Sequence, residues 1–186
     1  MKKRVFIIHG WGAGPKDNWF QWAKWELENY YFEVMIPQMP ETNFPKLEDW
    51  LKKLHEIVGE VDEKTYFIGH SLGTITILKY LESLEADKRI GGVVLVSGFM
   101  ENFGTPKELE NFMLNEIDMG KVRNICDKFI IFQSDDDPLV PIEQAIKLRN
   151  ALDGELNLIH GAGHLNSGTI EGEFPELINE IIKISQ

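Results

Sequence analysis

A single cysteine, Cys126, occurs in 186 residues, so no internal disulfide can form and a core must hold the fold. A lone thiol fits a reducing compartment, and with no supporting motif Cys126 reads as a buried structural residue rather than a nucleophile. Cations are scarce as well: 19 Lys and Arg stand against 30 Asp and Glu, a formal net charge of −11. That balance argues against nucleic acid as a partner, because phosphate binders concentrate Lys and Arg, and it says little about a small neutral substrate. No apolar run approaches the roughly twenty residues needed to cross a bilayer. The basic Lys2-Lys3-Arg4 before Val5–Ile8 imitates the start of a signal peptide, but His9, Gly10 and Gly12 interrupt the run too early. With no repeat, low-complexity tract or linker, the expectation is a soluble, cytoplasmic chain forming one domain over residues 1–186.

What is present is an alternation of short and long apolar patterns. Val5–Ile8, Phe32–Ile36, Tyr66–Ile68, Val93–Val96, Phe129–Phe132 and Leu156–Ile159 read as strands. Trp19–Glu28, Leu47–Val58, Leu72–Leu84, Pro106–Ile117, Pro141–Leu152 and Pro175–Ile184 read as helices. Such alternation predicts an α/β fold, a mostly parallel sheet of about six strands with helices on both faces. Ligands then bind beyond the carboxyl ends of the strands. The longest connection, Phe99 to Asn124, has room for about one helix and no large lid; Phe103, Phe112, Met113 and Leu114 either line a site or pack on the core.

Gly69-His70-Ser71-Leu72-Gly73 lies between a predicted strand and a predicted helix, where a nucleophilic serine needs to sit. The five-residue pattern alone would arise by chance in roughly one such chain in twenty, so its context carries the argument. A catalytic serine needs a base, an acid to orient the base, and backbone donors for the oxyanion. His164, on the Gly161-Ala162-Gly163-His164 loop between the last strand and the last helix, is the candidate base, with His160 its rival. His55 falls in a helical pattern and is expected to be solvated. His70 should point away from Ser71 and serve packing or hydrogen bonding. The acid comes from Asp135, Asp136 and Asp137, which follow the fifth strand; Asp137 beside Pro138 is favoured, then Asp136. No His or Glu at ligand spacing supports a metal site.

The loop His9-Gly10-Trp11-Gly12-Ala13-Gly14 lacks the G-x-G-x-x-G spacing of a dinucleotide site, so no cofactor is expected. Its better use is as an oxyanion donor, the backbone N–H of Trp11, partnered by that of Leu72 after the nucleophile. Trp22 and Trp25 read as core contacts of the first helix, whereas Trp11 and Trp19 either shape a pocket or pack.

In these features the chain resembles the α/β-hydrolase superfamily, and within it the small single-domain serine hydrolases related to retinoblastoma-binding protein 9 and YdeN. The resemblance rests on Val5 to Gly12, the Trp19 to Trp25 helix, Met39-Pro40 with Pro45 and Trp50, Gly69 to Gly73, Asp136-Asp137-Pro138 with Pro141, and Gly163-His164. It implies Ser71, Asp137 and His164 as the catalytic triad. A Leu-x-Cys-x-Glu motif for a retinoblastoma-type partner is absent, since the one cysteine sits in Asn124-Ile125-Cys126-Asp127-Lys128. The expected activity is hydrolysis of a small-molecule ester, or an amide, through an acyl-enzyme. The alternatives are a hydrolase-fold scaffold with little turnover, or an acyltransferase or peptidase using the same triad. Oligomeric state is not encoded in any motif.

Overall fold

The computed structural model describes residues 2–166, 168, 170 and 172–186. Six strands, β1 (Arg4–Ile8), β2 (Glu33–Met35), β3 (Thr65–His70), β4 (Gly92–Val96), β5 (Phe129–Ser134) and β6 (Glu155–Ile159), form one sheet in the order β2-β1-β3-β4-β5-β6. Every neighbouring pair is parallel, with Ile8 opposite Gly69 and His70 opposite Val96. Among the described residues the α-helices are α1 (Phe20–Asn29), α2 (Leu47–Val58), α3 (Leu72–Ser83), α4 (Met119–Ile125), α5 (Ile142–Leu152) and α6 (Pro175–Ile184).

Two apolar layers explain why the strands read as unbroken hydrophobic runs. Side chains alternate along a strand, so Phe6, Ile8, Phe67, Leu95 and Ile131 enter one layer with residues of α2, α3 and α5. Val5, Ile7, Ile68, Val94 and Phe132 enter the other, with α1 and α6. Helix α2 buries Trp50, Leu54 and Val58, one turn apart, and carries Glu48 and Asp49 at its positive N-terminal end. No helix among the described residues is long and apolar enough to cross a membrane.

The connection after β4 departs from expectation. In place of a helix over Pro106–Ile117 there is a 3-10 turn, Lys107–Phe112, and the helix proper, α4, begins at Met119. Leu109 and Phe112 are buried three residues apart, matching the three-residue period of that turn. Asn111 is diverted sideways: its Oδ1 accepts from Leu47 N at 2.7 Å and its Nδ2 donates to Pro45 O at 3.0 Å. Asp118 starts α4 by capping Lys121 N. Phe112 packs edge-on against Trp50 and Phe103 against Phe99, while Leu114 is exposed.

Candidate active site

The chain leaves β1 toward β2 on one side and reaches β3 on the other, so the loops following β1 and β3 diverge and leave a crevice at the carboxyl edge. Ser71 stands there as the only residue between β3 and α3, with φ 53° and ψ −119°. This is a costly conformation for a side-chain-bearing residue, about 1–3 kcal/mol. Its surroundings impose it: Ser71 N donates to Val96 O at 2.9 Å and Ser71 O accepts from Thr74 N at 3.0 Å. The flanking glycines allow the sharp turn, since a Cβ on Gly73 would fall 2.1 Å from Ile8 O.

The loop after β1 runs alongside the serine: a Cβ on Gly10 would lie 3.0 Å from Ser71 Cβ and 3.5 Å from its Oγ. His9, fully buried, fixes this loop. Its Nε2 accepts from Met39 N at 3.1 Å, which leaves Nδ1 as the N–H that donates to Gly10 O at 2.9 Å. Burial holds this imidazole below its ordinary pKa, against the opposing effects of Gly10 O and Asp17. A peptide's C=O and N–H point in opposite directions, so anchoring Gly10 O also orients the Trp11 N–H. Gly12 N donates to Thr42 O at 2.9 Å and the Trp11 indole donates to Asn43 O at 3.0 Å. Among the described residues no acceptor is bonded to Trp11 N, and Leu72, first in α3, has no acceptor within the helix for its own N–H. Two backbone donors thus flank Ser71.

His164 Nδ1 donates to Asp137 Oδ2 at 2.8 Å, leaving Nε2 as the basic ring nitrogen. The Asp137 side chain is fully buried. Burial pushes its carboxyl up, but the hydrogen bond and charge of His164, with the N–H groups of Val140 and Leu139, outweigh burial and hold the pKa below its ordinary value. Gln133 Nε2 adds a donor to Asp137 Oδ2 at 3.1 Å. Asp135 instead bonds the exposed His160 at 2.7 Å, and Asp136 bonds Ser134 and Gly163. The structure therefore joins Asp137, and neither neighbour, to His164.

Ser71 and His164 share a cleft of about 590 Å³ whose other walls include Trp11, Lys16, Leu139 and Asn166. No residue of the Phe99–Asn124 connection lines it. His70 turns its imidazole under the His164 loop: Nε2 donates to His164 O at 2.9 Å, and the ring meets Trp19, Phe20 and His164 edge-on. Burial, reinforced by His164, depresses its pKa to about 3, so it is neutral. His55 is exposed and bonds Ser83.

Of the tryptophans Trp11 lines the cleft, Trp19 takes the packing alternative and Trp25 departs from expectation. Trp19 does not shape the cleft; it is fully buried and its indole donates to Leu165 O at 2.9 Å. Trp25, expected in the core, is 60% exposed, because it falls on the outer side of α1 while Phe20, Ala23 and Leu27 face inward. Cys126 is buried, and desolvation pushes its thiol up to about 12, so it is inert. His9, Gln133 and Ser134 are the residues of the site that sequence reasoning missed. For His9 the adjacent Gly10 and Trp11 were a signal, and for Gln133 and Ser134 the nearby Asp137 and Asp136 were one; only the bond from Ala162 to Ser134 spans a long stretch of sequence.

Known proteins resemble this chain in sequence and in fold. The chain is 35% identical to YdeN of Bacillus subtilis strain 168, named as a hydrolase, over 164 residues, covering 88% of this chain and 86% of that protein. It is 28% identical to the serine hydrolase RBBP9 of Rattus norvegicus over 182 residues, covering 96% and 93% of the two chains. The crystal structure of the ydeN gene product from B. subtilis superposes with a TM-score of 0.92 at 31% identity over 98% of each chain. The family profile described as Serine hydrolase matches residues 5–182; this chain belongs to that serine hydrolase family, with an α/β-hydrolase fold.

Proposed function

We propose that this protein hydrolyses a small ester, or less readily an amide, through a Ser71–His164–Asp137 triad and a covalent acyl-enzyme. The observation that carries the reading is that His164, bonded to buried Asp137, lines the same cleft as the strained Ser71 turn. In this mechanism His164 Nε2 removes the Ser71 proton as Oγ attacks the substrate carbonyl. The N–H groups of Trp11 and Leu72 stabilise the oxyanion of the tetrahedral intermediate. The imidazolium, steadied by ionised Asp137, then protonates the leaving alcohol. Water repeats the cycle, giving up a proton to His164, and the acid leaves with Ser71 restored.

The cleft has few apolar walls, Trp11, Ala13 and Leu139 among them, which favours short, soluble acyl groups and water as the acceptor. The lone buried Cys126 fits a reducing compartment, and we assign the protein to the cytoplasm. The test is labelling by a fluorophosphonate probe together with kcat/KM for p-nitrophenyl esters from acetate to palmitate. Ser71→Ala should abolish labelling and cut turnover about 10⁴- to 10⁶-fold, and wild-type kcat/KM should peak at short chains. Undiminished labelling of the alanine variant would refute the nucleophile, and a steady rise to palmitate would refute the small acyl site.

A further inference from the structure

The loop carrying His164 adopts a shape that its own residues do not favour. Gly161, Gly163 and Leu165 all have positive φ, 66°, 51° and 46°, and for leucine this conformation is disfavoured outright. Such a loop needs external bonds to hold it, and most come from one short stretch at the end of β5. Asp135 accepts from His160 Nδ1 at 2.7 Å and from Gly161 N at 3.0 Å. Ser134 Oγ accepts from Ala162 N at 2.9 Å, Asp136 Oδ1 accepts from Gly163 N at 2.8 Å, and Asp137 receives His164. Four consecutive residues thus grip five consecutive residues.

These bonds differ in value. The pair of His160 and Asp135 and the bond from Gly163 N to Asp136 are exposed and compete with water. Ser134 is fully buried, as is its bond to Ala162 N, so a missing hydroxyl there would strand a buried N–H. The hydroxyl has one proton, and it goes to Asp136 Oδ1 at 2.6 Å, which turns an oxygen lone pair toward Ala162. Asp136 therefore holds the loop twice, directly at Gly163 and through Ser134 at Ala162. Both attachments lie within two residues of His164.

Resting on the assignment of His164 as base, we propose that Ser134 and Asp136 are positioning residues that fix the imidazole for proton transfer. They touch no reacting atom. Misplacing a catalytic group by about 1 Å costs on the order of 100-fold, and a base that is mis-set but present affects kcat more than KM.

Turnover of p-nitrophenyl acetate, fluorophosphonate labelling and the downfield His164 Nδ1–H proton resonance test the proposal in the full chain. Ser134→Ala and Asp136→Ala should each lower kcat about 10- to 100-fold with KM within about threefold, and should shift or broaden the resonance. Asp136→Asn keeps the accepting oxygen and should recover most of the loss. The double alanine variant should be little worse than the poorer single one, because one residue acts through the other. Wild-type kcat and an unchanged resonance in both alanine variants would overturn the proposal. If Ser134→Ala does not fold, equal kcat in Asp136→Ala and Asp136→Asn overturns it instead. His164→Ala and Asp137→Asn separate the two claims: labelling at the wild-type rate in these refutes the triad itself, whereas labelling lost in these but proceeding at the wild-type rate in Ser134→Ala and Asp136→Ala refutes only the positioning role.

Discussion

Replacing Gly73 by alanine should separate α3 from β1 and disable the serine turn with it. The added Cβ would meet Ile8 O at 2.1 Å, Ile8 C at 2.8 Å and His9 O at 2.9 Å. Ordinary van der Waals contact begins near 3.4 Å, so the helix would have to retreat by about 3.4 − 2.1 = 1.3 Å. All three obstacles are backbone, and β1 is hydrogen-bonded on both sides to β2 and β3, so no side-chain rotation relieves them. Overpacking costs roughly 1–3 kcal/mol where neighbours can adjust, and we expect the upper end, about 3 kcal/mol. For a chain of this size about 1 kcal/mol moves Tm by some 2–4 °C, so Tm should fall by about 6–12 °C. Gly69→Ala provides the control. Its Cβ meets Ile77 Cδ1 at 2.8 Å, Thr74 N at 2.9 Å and Gly73 C at 3.0 Å; the nearest neighbour is a flexible side-chain end, and the backbone clashes are milder. It should cost about 1–2 kcal/mol. Urea unfolding ranks the two, and fluorophosphonate labelling reports the turn. A Gly73→Ala protein within about 1 kcal/mol of wild type and labelled at the wild-type rate would refute the close-approach argument.

Two further expectations follow from the geometry. His70 is neutral in the fold with a pKa of about 3, while an unfolded histidine titrates near 6.5, so the unfolded chain binds the extra proton between those values. Its contribution is fully present above about pH 6.5 and is lost as pH falls, at up to about 1.4 kcal/mol per unit. The lowered pKa of His9 acts in the same direction. The depressed Asp137 pKa adds its loss only below the ordinary carboxylate range, near pH 4. His70→Gln keeps an N–H for the His164 carbonyl but cannot titrate, so it should flatten the stability profile from pH 6.5 to 4 measured by urea unfolding; an unaltered slope would count against the assignment. At Trp11, alanine keeps the backbone donor and proline removes it, so Trp11→Pro should lose about 10²- to 10³-fold in kcat beyond Trp11→Ala, both being folded by circular dichroism. Equal turnover would place the oxyanion donor elsewhere.

The strands were legible to within about two residues because a parallel sheet covered on both faces demands continuous apolar runs, and Val5–Ile8 or Phe129–Phe132 are little else. The turn at Ser71 was legible for a related reason: β3 and α3 are both strongly apolar, so the change from strand to helix stood out. Trp25 was misplaced because its first-helix spacing resembles that of a core residue, and only the angle of α1 against the sheet decides which side is buried. The shift from Pro106–Ile117 to a 3-10 turn and α4 had a missed local signal in the Asp118 cap. A second cause was non-local, since Asn111 is drawn to Pro45 and Leu47 by bonds across more than sixty residues. Ser134 and Gln133 look in sequence like a strand running out into solvent, yet both are fully buried. The register of β5 with β6 brings Ala162 to Ser134, which no local pattern records, whereas Gln133 bonds the nearby Asp137 and Val140.

That non-local support has a mechanistic reason. Many enzymes assemble their catalytic groups when a lid or domain closes over the substrate, but here no residue of the long Phe99–Asn124 connection reaches the cleft. Organisation must then be built into the resting fold. Ser71, Ser97 and Leu165 all hold positive φ at the carboxyl edge of the sheet, a strain of about 1–3 kcal/mol each that persists only where the surroundings over-determine it. For Ser71 those surroundings are the bonds to Val96 and Thr74. For the His164 loop they are His70 and Trp19 holding the carbonyls of His164 and Leu165, and Ser134 and Asp136 holding the N–H groups before them. A small site open to water thus reaches preorganisation by fixed side-chain bonds, which predicts losses of rate, more than of binding, when those bonds are removed.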